Sequence, residues 1–363
     1  MKVAVLGVGL IGGSVGLASR QRLGAEVVGF DPAPEGLGSA VDAGVLDRAA
    51  DTVAAACDGA EVVFCAAPVG DLPGLAAAAL EACGPDTVVT DVGSTKREIV
   101  AALGEDERFI GGHPLAGAET AGVENSRADL FEGARWYLTP TERSSGLLYD
   151  RLQRILARFG ARPQAIDAEA HDRLMATVSH LPHVMANVLV AQAAAELSRD
   201  SERMPDVGPS FRDTSRVAGA NPAIWGDIFS SNRESVAEAI DAVVDRLREA
   251  AELIRAGDRD AVSTWHAAAG ADRRLLLETE LAGGPLRELR VVVANRPGTI
   301  AELALALGKA GVNIEDMALY PAADMRSGAV SLWVAGEEQA ERAAALVREL
   351  GHTVTTLDDE GRS

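Results

Sequence analysis

A glycine-rich turn near the amino terminus has the residue types and spacing to hold a dinucleotide. The apolar run VAVLG predicts a buried strand, and it continues into GVGLIG, a match to the G-x-G-x-x-G pattern. In this pattern Gly7 makes a tight turn, Gly9 lets the backbone approach a pyrophosphate, and Gly12 permits close packing of the next helix. The alternative is a structural glycine turn without a ligand. A dinucleotide site is favoured because the pattern follows a predicted strand and opens a predicted helix.

Further residues complete the predicted nucleotide site. Leu10 and Ile11 would begin the helix, whose amino-terminal N–H groups face the phosphates. Asp31 ends the second predicted strand and can accept hydrogen bonds from ribose hydroxyls, whereas a 2′-phosphate would meet its like charge. No arginine immediately follows Asp31, so the sequence predicts NAD rather than NADP as the cofactor. Pro68 and Ser94, each after a later strand, are predicted to contact the same cofactor.

His113 and Ser94 are the candidates for the chemical step. They lie in GGHPLAG and DVGSTK, after later predicted strands, and ligands of open α/β sheets bind beyond the carboxyl ends of strands. Hydride removal from a carbinol needs a base for the hydroxyl proton, and neutral histidine titrates in a suitable range. Two structural alternatives stay open. His113 could be a cap beside Pro114, and Ser94 could be a helix N-cap.

A later segment, VSHLPH, places His180 and His183 three residues apart. The two would share one side of a helix if the helix runs through Pro182. A metal site is a poor interpretation, because no third and fourth ligands accompany the pair at a recurring spacing, and we predict none. One histidine is expected to contact an anion or hydroxyl, and the other to be a satisfied surface or core residue.

An arginine-containing segment, FRDTSR, follows the histidine pair and precedes NPAIW. An arginine in a pocket can hold a carboxylate bidentately, although an exposed salt bridge with Asp213 is the alternative. Trp225 would more often be a core residue than a ligand wall. The sequence has no lysine between Lys96 and Lys309, so the helical stretch cannot supply the catalytic lysine of β-hydroxyacid dehydrogenases, and that class is disfavoured.

Three stretches of different pattern would position these residues, as expected for 363 residues at about 150 per domain. Residues 1–142 alternate β-rich and alanine-rich runs, which predicts an α/β Rossmann domain around a mostly parallel sheet. Residues 143–283 have helical periodicity and predict an all-α domain. After the linker LAGGP, residues 287–358 predict an α+β domain with the order βαββαβ.

Composition limits the partners and the compartment. The chain has 34 basic and 54 acidic residues and a net charge of −20, whereas a nucleic-acid binder needs a dense basic face. Glycines interrupt the apolar amino terminus, so no signal peptide is predicted. The apolar run from Val184 to Ala195 is too short to cross a bilayer, so no membrane partner is predicted. Three cysteines without metal-ligand spacing favour reduced thiols and a cytoplasmic location.

Several motifs in order resemble the prephenate/arogenate dehydrogenase family, in the bacterial form that carries a C-terminal ACT domain. They are GVGLIGGS, VVGFD, DVGSTK, GGHPLAG, VSHLPH, FRDTSR and NPAIW, and NRPGTIAELALALGKAGVNIEDM looks like an ACT opening. The resemblance covers nearly the whole chain. It implies oxidative decarboxylation of prephenate to 4-hydroxyphenylpyruvate in tyrosine biosynthesis, with NAD taking the hydride. Arogenate, which has an amino group in place of the side-chain keto group, is the alternative substrate.

The resemblance also implies a role for each matched residue. His113 would accept the hydroxyl proton, Ser94 would orient that hydroxyl, and Arg216 would bind the ring carboxylate. Other residues would surround the side-chain end of the substrate or form a polar gate around the arginine: His183, Ser179, Trp225, Glu119 and Asp213.

Regulation and assembly follow from the same resemblance. It implies a homodimer through the helical domain and an ACT module that binds tyrosine near Asn295, Gly298 and Asn313. An ACT module that only dimerises is an alternative. For the whole chain, a non-catalytic amino-acid sensor is disfavoured by the intact chemical residues, and another two-domain NAD oxidoreductase is disfavoured by the missing lysine.

Overall fold

The computed structural model describes residues 1–33, 36–117, 122–200, 207–278, 286–294, 299–312, 314, 316–321 and 327–356. The chain divides into two units, Met1–Arg246 and Leu247–Ser363. The long helix α11, Arg233–Ala256, contains the point of division.

The first unit is built on one eight-stranded sheet in the order β3-β2-β1-β4-β5-β6-β7-β8. All neighbouring strands are parallel except β6 and β7, so the predicted mostly parallel sheet is present. The order of strands reverses at β1, which lies between β2 and β4 and therefore opens a crevice for a ligand. The strands are β1 Lys2–Leu6, β2 Glu26–Phe30, β3 Arg48–Ala49, β4 Val62–Cys65, β5 Val88–Asp91, β6 Phe109–Pro114, β7 Arg135–Thr139 and β8 Arg162–Ala165.

Apolar side chains on both faces explain why the strands are continuous hydrophobic runs. Along β1, Val3 and Val5 point into one core cluster, while Ala4 and Leu6 point into the other. This alternation is the period-two geometry of a strand that is covered by helices on both sides. The covering helices are α1 Leu10–Leu23, α2 Leu37–Asp42, α3 Val53–Cys57, α4 Leu72–Ala82, α5 Arg97–Leu103 and α6 Gly146–Arg158.

The sheet extends beyond residue 142, where the sequence predicts the helical domain to begin. Helix α6 packs in the first core cluster, and β8 pairs with β7. The short strand β8 has the sequence RPQA, with a proline, two polar residues and no exposed-buried alternation. Proline is tolerated in edge strands, and this strand takes its conformation from pairing with β7 rather than from its own propensity.

Helices make up the rest of the first unit. They are α7 Ala168–Met175, a π-helical turn Ala176–His180, α8 Leu181–Asp200, α9 Pro209–Ser215, a 3-10 turn Arg216–Gly219, α10 Pro222–Ser231 and α11. The π turn lies just before Pro182, which has no N–H to donate to the preceding turn. Such turns occur often at functional sites, and this one contains Ser179 and His180.

One helical run in the described residues, Ala168–Glu196, is long and apolar enough to cross a membrane by length and composition. It includes α7, the π turn and most of α8, and is longer than the run from Val184 to Ala195 seen in the sequence. Only 28% of its most apolar window is buried inside the chain. Its amino-terminal part is nevertheless packed at the sheet, because His171, Asp172 and His180 are buried.

The second unit contains a small antiparallel sheet in the order β10-β11-β9-β12. Its elements are helix α12 Arg259–Glu278, followed by β9 Leu286–Ala294, α13 Thr299–Lys309, β10 Asp316–Pro321, β11 Ser327–Ala335, α14 Glu337–Glu349 and β12 Thr353–Thr356. From β9 onward the order is βαββαβ, as the hydrophobic periods of the sequence predict. Leu289, Val291, Leu303 and Val347 are among the residues of its separate hydrophobic core.

Candidate active site

The carboxyl ends of four parallel strands are in register and form one edge of the sheet. Leu6 pairs with Phe30 and with Cys65, and Cys65 pairs with Asp91. The residues that follow these positions carry the predicted glycine turn, Asp31, Pro68 and Ser94. Strand β6 ends at the same side with His113. The sequence motifs are therefore brought together although they are far apart in the chain.

Two glycines of the turn are required by its geometry, and the third is open. Gly7 has φ +98°, and a Cβ there would lie 2.3 Å from the carbonyl oxygen of Ala66. A Cβ on Gly12 would lie 1.9 Å from the carbonyl oxygen of Gly7. At Gly9 a Cβ would meet no atom within 4 Å. The turn is thus tightly packed at Gly7 and Gly12, and it leaves open space at Gly9, where a pyrophosphate could approach.

The surroundings of this turn also fit a dinucleotide. Gly9 is the N-cap of α1 and provides no side-chain hydrogen bond, so Leu10 and Ile11 begin a helix whose first N–H groups suit phosphate oxygens. The carboxylate of Asp31 accepts hydrogen bonds from Val8 N at 2.7 Å and Ala33 N at 2.9 Å. These bonds hold Asp31 beside the turn and leave acceptor capacity on its oxygens for ribose hydroxyls. Pro68 is exposed at the neighbouring strand end.

The structure does not show the N-cap role for Ser94, and it bonds the ring of His113 to another histidine. The Nδ1 atom of His113 lies 2.9 Å from Nε2 of His171, so its ring is hydrogen-bonded across to α7. Ser94 does not cap α5, because the N-cap is Lys96. Ser94 instead lies half-buried in the loop between β5 and α5. Both candidates stay available for chemistry at the sheet edge.

His171 and Asp172 lie against the candidate base His113, and the sequence analysis did not single them out. His171 Nδ1 lies 2.8 Å from Asp172 Oδ1. The two oxygens of Asp172 also accept backbone N–H bonds from Lys96 at 2.8 Å and Arg97 at 2.9 Å, which anchor α7 to the start of α5. A His-Asp pair in a predicted helix was the available signal, but nothing local indicated that it would face a histidine 58 residues away.

A buried ion pair joins the strand ends that carry the two candidate chemical residues. Lys96 is fully buried, and its Nζ contacts the carboxylate of Asp91 and donates to the Gly112 carbonyl at 2.8 Å. Asp91 in turn accepts N–H bonds from Gly93 at 2.8 Å and Gly112 at 3.0 Å. The pair ties the end of β5, which leads to Ser94, to the end of β6. Burial lowers the pKa of Lys96, and the Asp91 charge opposes this.

The electrostatics keep the central histidines neutral. Burial, reinforced by repulsion from His171, Lys96 and His180 in their charged forms, holds the pKa of His113 well below its usual value. Burial also lowers the pKa of His171, against the opposing effect of Asp172. Burial would raise the pKa of Asp172, but hydrogen bonds from His171 and two backbone N–H groups outweigh it and lower that pKa. The result is an unprotonated His113 that can accept a proton.

The VSHLPH histidines differ in burial: His180 is a core residue, as one of the two was predicted to be, and His183 is partly exposed. His180 is buried and its Nδ1 lies 3.2 Å from Nδ2 of Asn232, and burial lowers its pKa to about 4. His183 is half-buried and stacks on Trp225 with ring centroids 3.5 Å apart. Burial lowers the pKa of His183, a hydrogen bond with the backbone of Val217 opposes this, and the nearby Arg216 charge lowers it further.

The remaining predicted site residues lie on the exposed surface, in the π turn or outside the described residues. Arg216 and Asp213 are exposed on the turn and helix after the gap in the described chain, and Ser179 is half-buried in the π turn. Glu119 lies outside the described residues, as do three predicted effector residues, Asn295, Gly298 and Asn313. Across the described ranges, no group of three or more His, Cys, Asp or Glu side chains could hold a metal ion.

A Rossmann-type sheet with this glycine turn, and a neutral histidine at its carboxyl edge, defines a nucleotide-dependent oxidoreductase. Residues 15–164 match the family model described as prephenate dehydrogenase, nucleotide-binding domain, and residues 167–267 match prephenate dehydrogenase, dimerization domain. The chain belongs to the prephenate dehydrogenase family. The family identified from the motifs is confirmed, and so is a nucleotide-binding domain followed by a helical domain.

Individual relatives agree with this assignment. Prephenate dehydrogenase of Bacillus subtilis is 28% identical over 353 residues, which cover 94% of each chain. The crystal structure of prephenate dehydrogenase from Aquifex aeolicus, in complex with hydroxyphenyl propionate and NAD+, is 31% identical with a TM-score of 0.72 and covers 76% of this chain and 98% of its own. Synechocystis arogenate dehydrogenase is 26% identical with a TM-score of 0.67, and the match covers 76% of this chain and all 100% of that one.

Proposed function

We propose that the protein catalyses the NAD-dependent oxidative decarboxylation of prephenate to 4-hydroxyphenylpyruvate. The observation that carries this proposal is the neutral histidine His113, which lies at the same edge of the sheet as the open glycine turn and Asp31. Family membership supports the substrate, since the Bacillus subtilis relative carries that name. Arogenate is the second candidate, favoured by the similarity to Synechocystis arogenate dehydrogenase.

In this proposal the chain's residues hold the substrate and move one proton. NAD, when bound, supplies the hydride acceptor. His113 takes the proton of the ring hydroxyl, and Ser94 holds that hydroxyl in orientation. Arg216 binds a substrate carboxylate, and the stacked pair of His183 and Trp225 forms a wall of the pocket. Loss of the ring carboxylate then needs little help from the protein, because aromatisation drives it.

The substrate is tested by following NADH absorbance with purified protein. Prephenate and arogenate are each offered with NAD and with NADP. We expect turnover with NAD and a higher kcat/KM for prephenate. Turnover of arogenate but not of prephenate would identify arogenate as the substrate. Turnover of neither compound would contradict the proposed function.

Asp31 is expected to determine the preference for NAD. Asp31→Ala removes two charge-assisted acceptors for the ribose hydroxyls, and such bonds contribute about 1.5–3 kcal/mol each. We therefore expect the ratio of kcat/KM for NAD over NADP to fall by about 10-fold or more. Asp47→Ala is a matched control, because Asp47 also accepts a strand N–H, from Val27 at 2.8 Å, but lies on the β3 side. An unchanged ratio in Asp31→Ala would remove this residue from the cofactor site.

Arg216 is expected to act in substrate binding. Arg216→Ala removes a bidentate partner for a carboxylate, so KM for prephenate should rise by about 10- to 100-fold while NAD binding is kept. Arg212→Ala, one turn earlier on the exposed face of α9, is the matched control and should leave KM near the wild-type value. An unchanged KM in Arg216→Ala would exclude the arginine from the substrate site.

We infer that the exposed apolar part of α8 is the homodimer interface. From residue 187 to residue 196 this helix is exposed on nearly all sides within the chain, although Val188, Leu189 and Val190 are large apolar residues. Consecutive large apolar residues exposed on one helix are typical of a surface that a partner covers, and residues 167–267 match the dimerization-domain model. This covering also explains the membrane-like composition of the run.

Disruption of the dimer tests that interface. Val188→Asp with Leu189→Asp would bury two charges at a self-complementary contact, so light scattering should show a monomer. Leu147→Asp is the control, since Leu147 is 83% exposed on α6 and outside the interface. A double variant that stays dimeric would place the interface elsewhere.

Residues 287–358 of the second unit are proposed to form an ACT-like regulatory module that binds tyrosine. Its βαββαβ order and antiparallel sheet support this, and the Bacillus subtilis relative aligns over 94% of the chain, which includes this region. Tyrosine added to the NADH assay should inhibit, and removal of residues 287–358 should abolish the inhibition. Inhibition that persists after removal would place the tyrosine site in the first unit. The predicted boundary 142/143 falls too early, because α6 and β8 belong to the first core and sheet. The boundary 283/287 and a cytoplasmic location stay predictions.

A further inference from the structure

A continuous hydrogen-bonded chain links His113 to a carboxylate. Nδ1 of His113 lies 2.9 Å from Nε2 of His171, and Nδ1 of His171 lies 2.8 Å from Oδ1 of Asp172. His171 is fully buried and Asp172 is 1% exposed. Two backbone N–H groups at the start of α5 hold the carboxylate, and Asn232 donates to the Asp172 carbonyl at 2.7 Å. Asp172, at the far end of this series of hydrogen bonds, is therefore held firmly in place.

The protonation of each ring follows from what its neighbour can accept. Asp172 is ionised and only accepts, so the neutral His171 must carry its proton on Nδ1. Nε2 of His171 is then an acceptor, and Nδ1 of His113 must donate to it. A neutral imidazole has one proton, so Nε2 of His113 carries the lone pair. The tautomer of His113 that leaves Nε2 free to act as a base is thus determined by Asp172, acting through His171.

We propose that His171 and Asp172 are positioning residues that fix the ring orientation and tautomer of His113, so that its Nε2 atom faces the substrate hydroxyl. This inference rests on the proposed function. When Nε2 takes the proton, the Nδ1–H donated to His171 and the charge of Asp172 stabilise the imidazolium that forms. The arrangement follows the logic of a base oriented by a third group, with one additional histidine in the series.

Two substitutions of His171 separate this role from packing. Phenylalanine fills the space of the ring but cannot accept from His113 Nδ1, so kcat should fall by about 10²-fold with KM little changed. His171→Gln returns an amide oxygen near the position of Nε2, so it should restore kcat by about 10-fold relative to phenylalanine. A wild-type kcat in His171→Phe, or equal losses in both variants, would overturn the proposal.

A control and a second readout keep the test independent of the substrate assignment. Thr95→Val breaks a buried hydrogen bond of the same region, Thr95 Oγ1 to Ser231 Oγ at 2.9 Å, without touching the histidines. It should lower thermal stability but leave the pH dependence of kcat unchanged. Nitrogen NMR of the histidine rings in the free protein should show His113 protonated on Nδ1, and a mixture of tautomers in His171→Phe. A proton on Nε2 of wild-type His113 would contradict the proposal even if prephenate is not the substrate.

Discussion

His113→Asn is expected to lower kcat by about 10² to 10⁴-fold while the affinity for NAD stays close to wild type, because general base catalysis contributes an effect of this size. The asparagine amide can occupy the position of Nδ1 and still donate to His171, so the local structure is kept. It has no base at the position of Nε2. Stopped-flow or steady-state NADH absorbance measures kcat, and fluorescence titration measures NADH binding.

The pH dependence of kcat/KM is a second test of the role of His113, with a defined direction. Burial, with added repulsion from nearby ionisable groups, lowers the pKa of His113 below its usual 6.5, so the neutral base persists as the pH falls through that value. The acid limb of kcat/KM should therefore lie below pH 6.5 in the wild type and should be absent in His113→Asn. His352→Asn, in the second unit, is the matched control and should keep the wild-type profile. Loss of NAD affinity in parallel with kcat would indicate a structural role for His113 instead.

Lys96→Met is expected to cause the largest loss of stability. It leaves Asp91 as a buried charge without its cation, and breaking a buried ion pair in this way costs about 3–5 kcal/mol. The melting temperature of the first unit should fall by about 10 °C in a thermal scan. The double variant Lys96→Met with Asp91→Leu should recover part of the loss, since no unpaired charge is left.

Lys2→Met is the control for that measurement. Lys2 also contacts an oxygen, the carbonyl of Asp58, but at an exposed position, so the change should stay within about 0.5 kcal/mol. If Lys96→Met melts at the wild-type temperature, then the pair of Lys96 and Asp91 does not hold the ends of β5 and β6.

The sequence predicts the structure well where the geometry is local. The glycine turn has a fixed geometry, so the roles of Gly7 and Gly12 could be derived from their spacing, and the clash distances agree. Asp31 could be predicted because it ends the next strand. The edge strand β8 could not, because its RPQA sequence lacks strand propensity and forms a strand only by pairing with β7.

The contacts around His113 could not be predicted from the sequence, because the partners come from distant segments. His113 was identified, but the contact with His171 depends on how α7 packs at the end of β6. Lys96 was noted only for the absence of other lysines, since nothing in DVGSTK shows that its side chain would be buried against Asp91. Periodicity indicates which side of a helix is apolar, but tertiary packing determines which polar residue meets which.

Product stoichiometry tests the central claim most directly. Purified protein is given limiting prephenate with excess NAD, and NADH, CO2 and 4-hydroxyphenylpyruvate are measured in the same sample by absorbance, gas release and chromatography. Oxidative decarboxylation predicts equal amounts of all three for each prephenate consumed, and none of them with His113→Asn on the same timescale. Prephenate consumed without NADH, or NADH formed without CO2, would contradict the account.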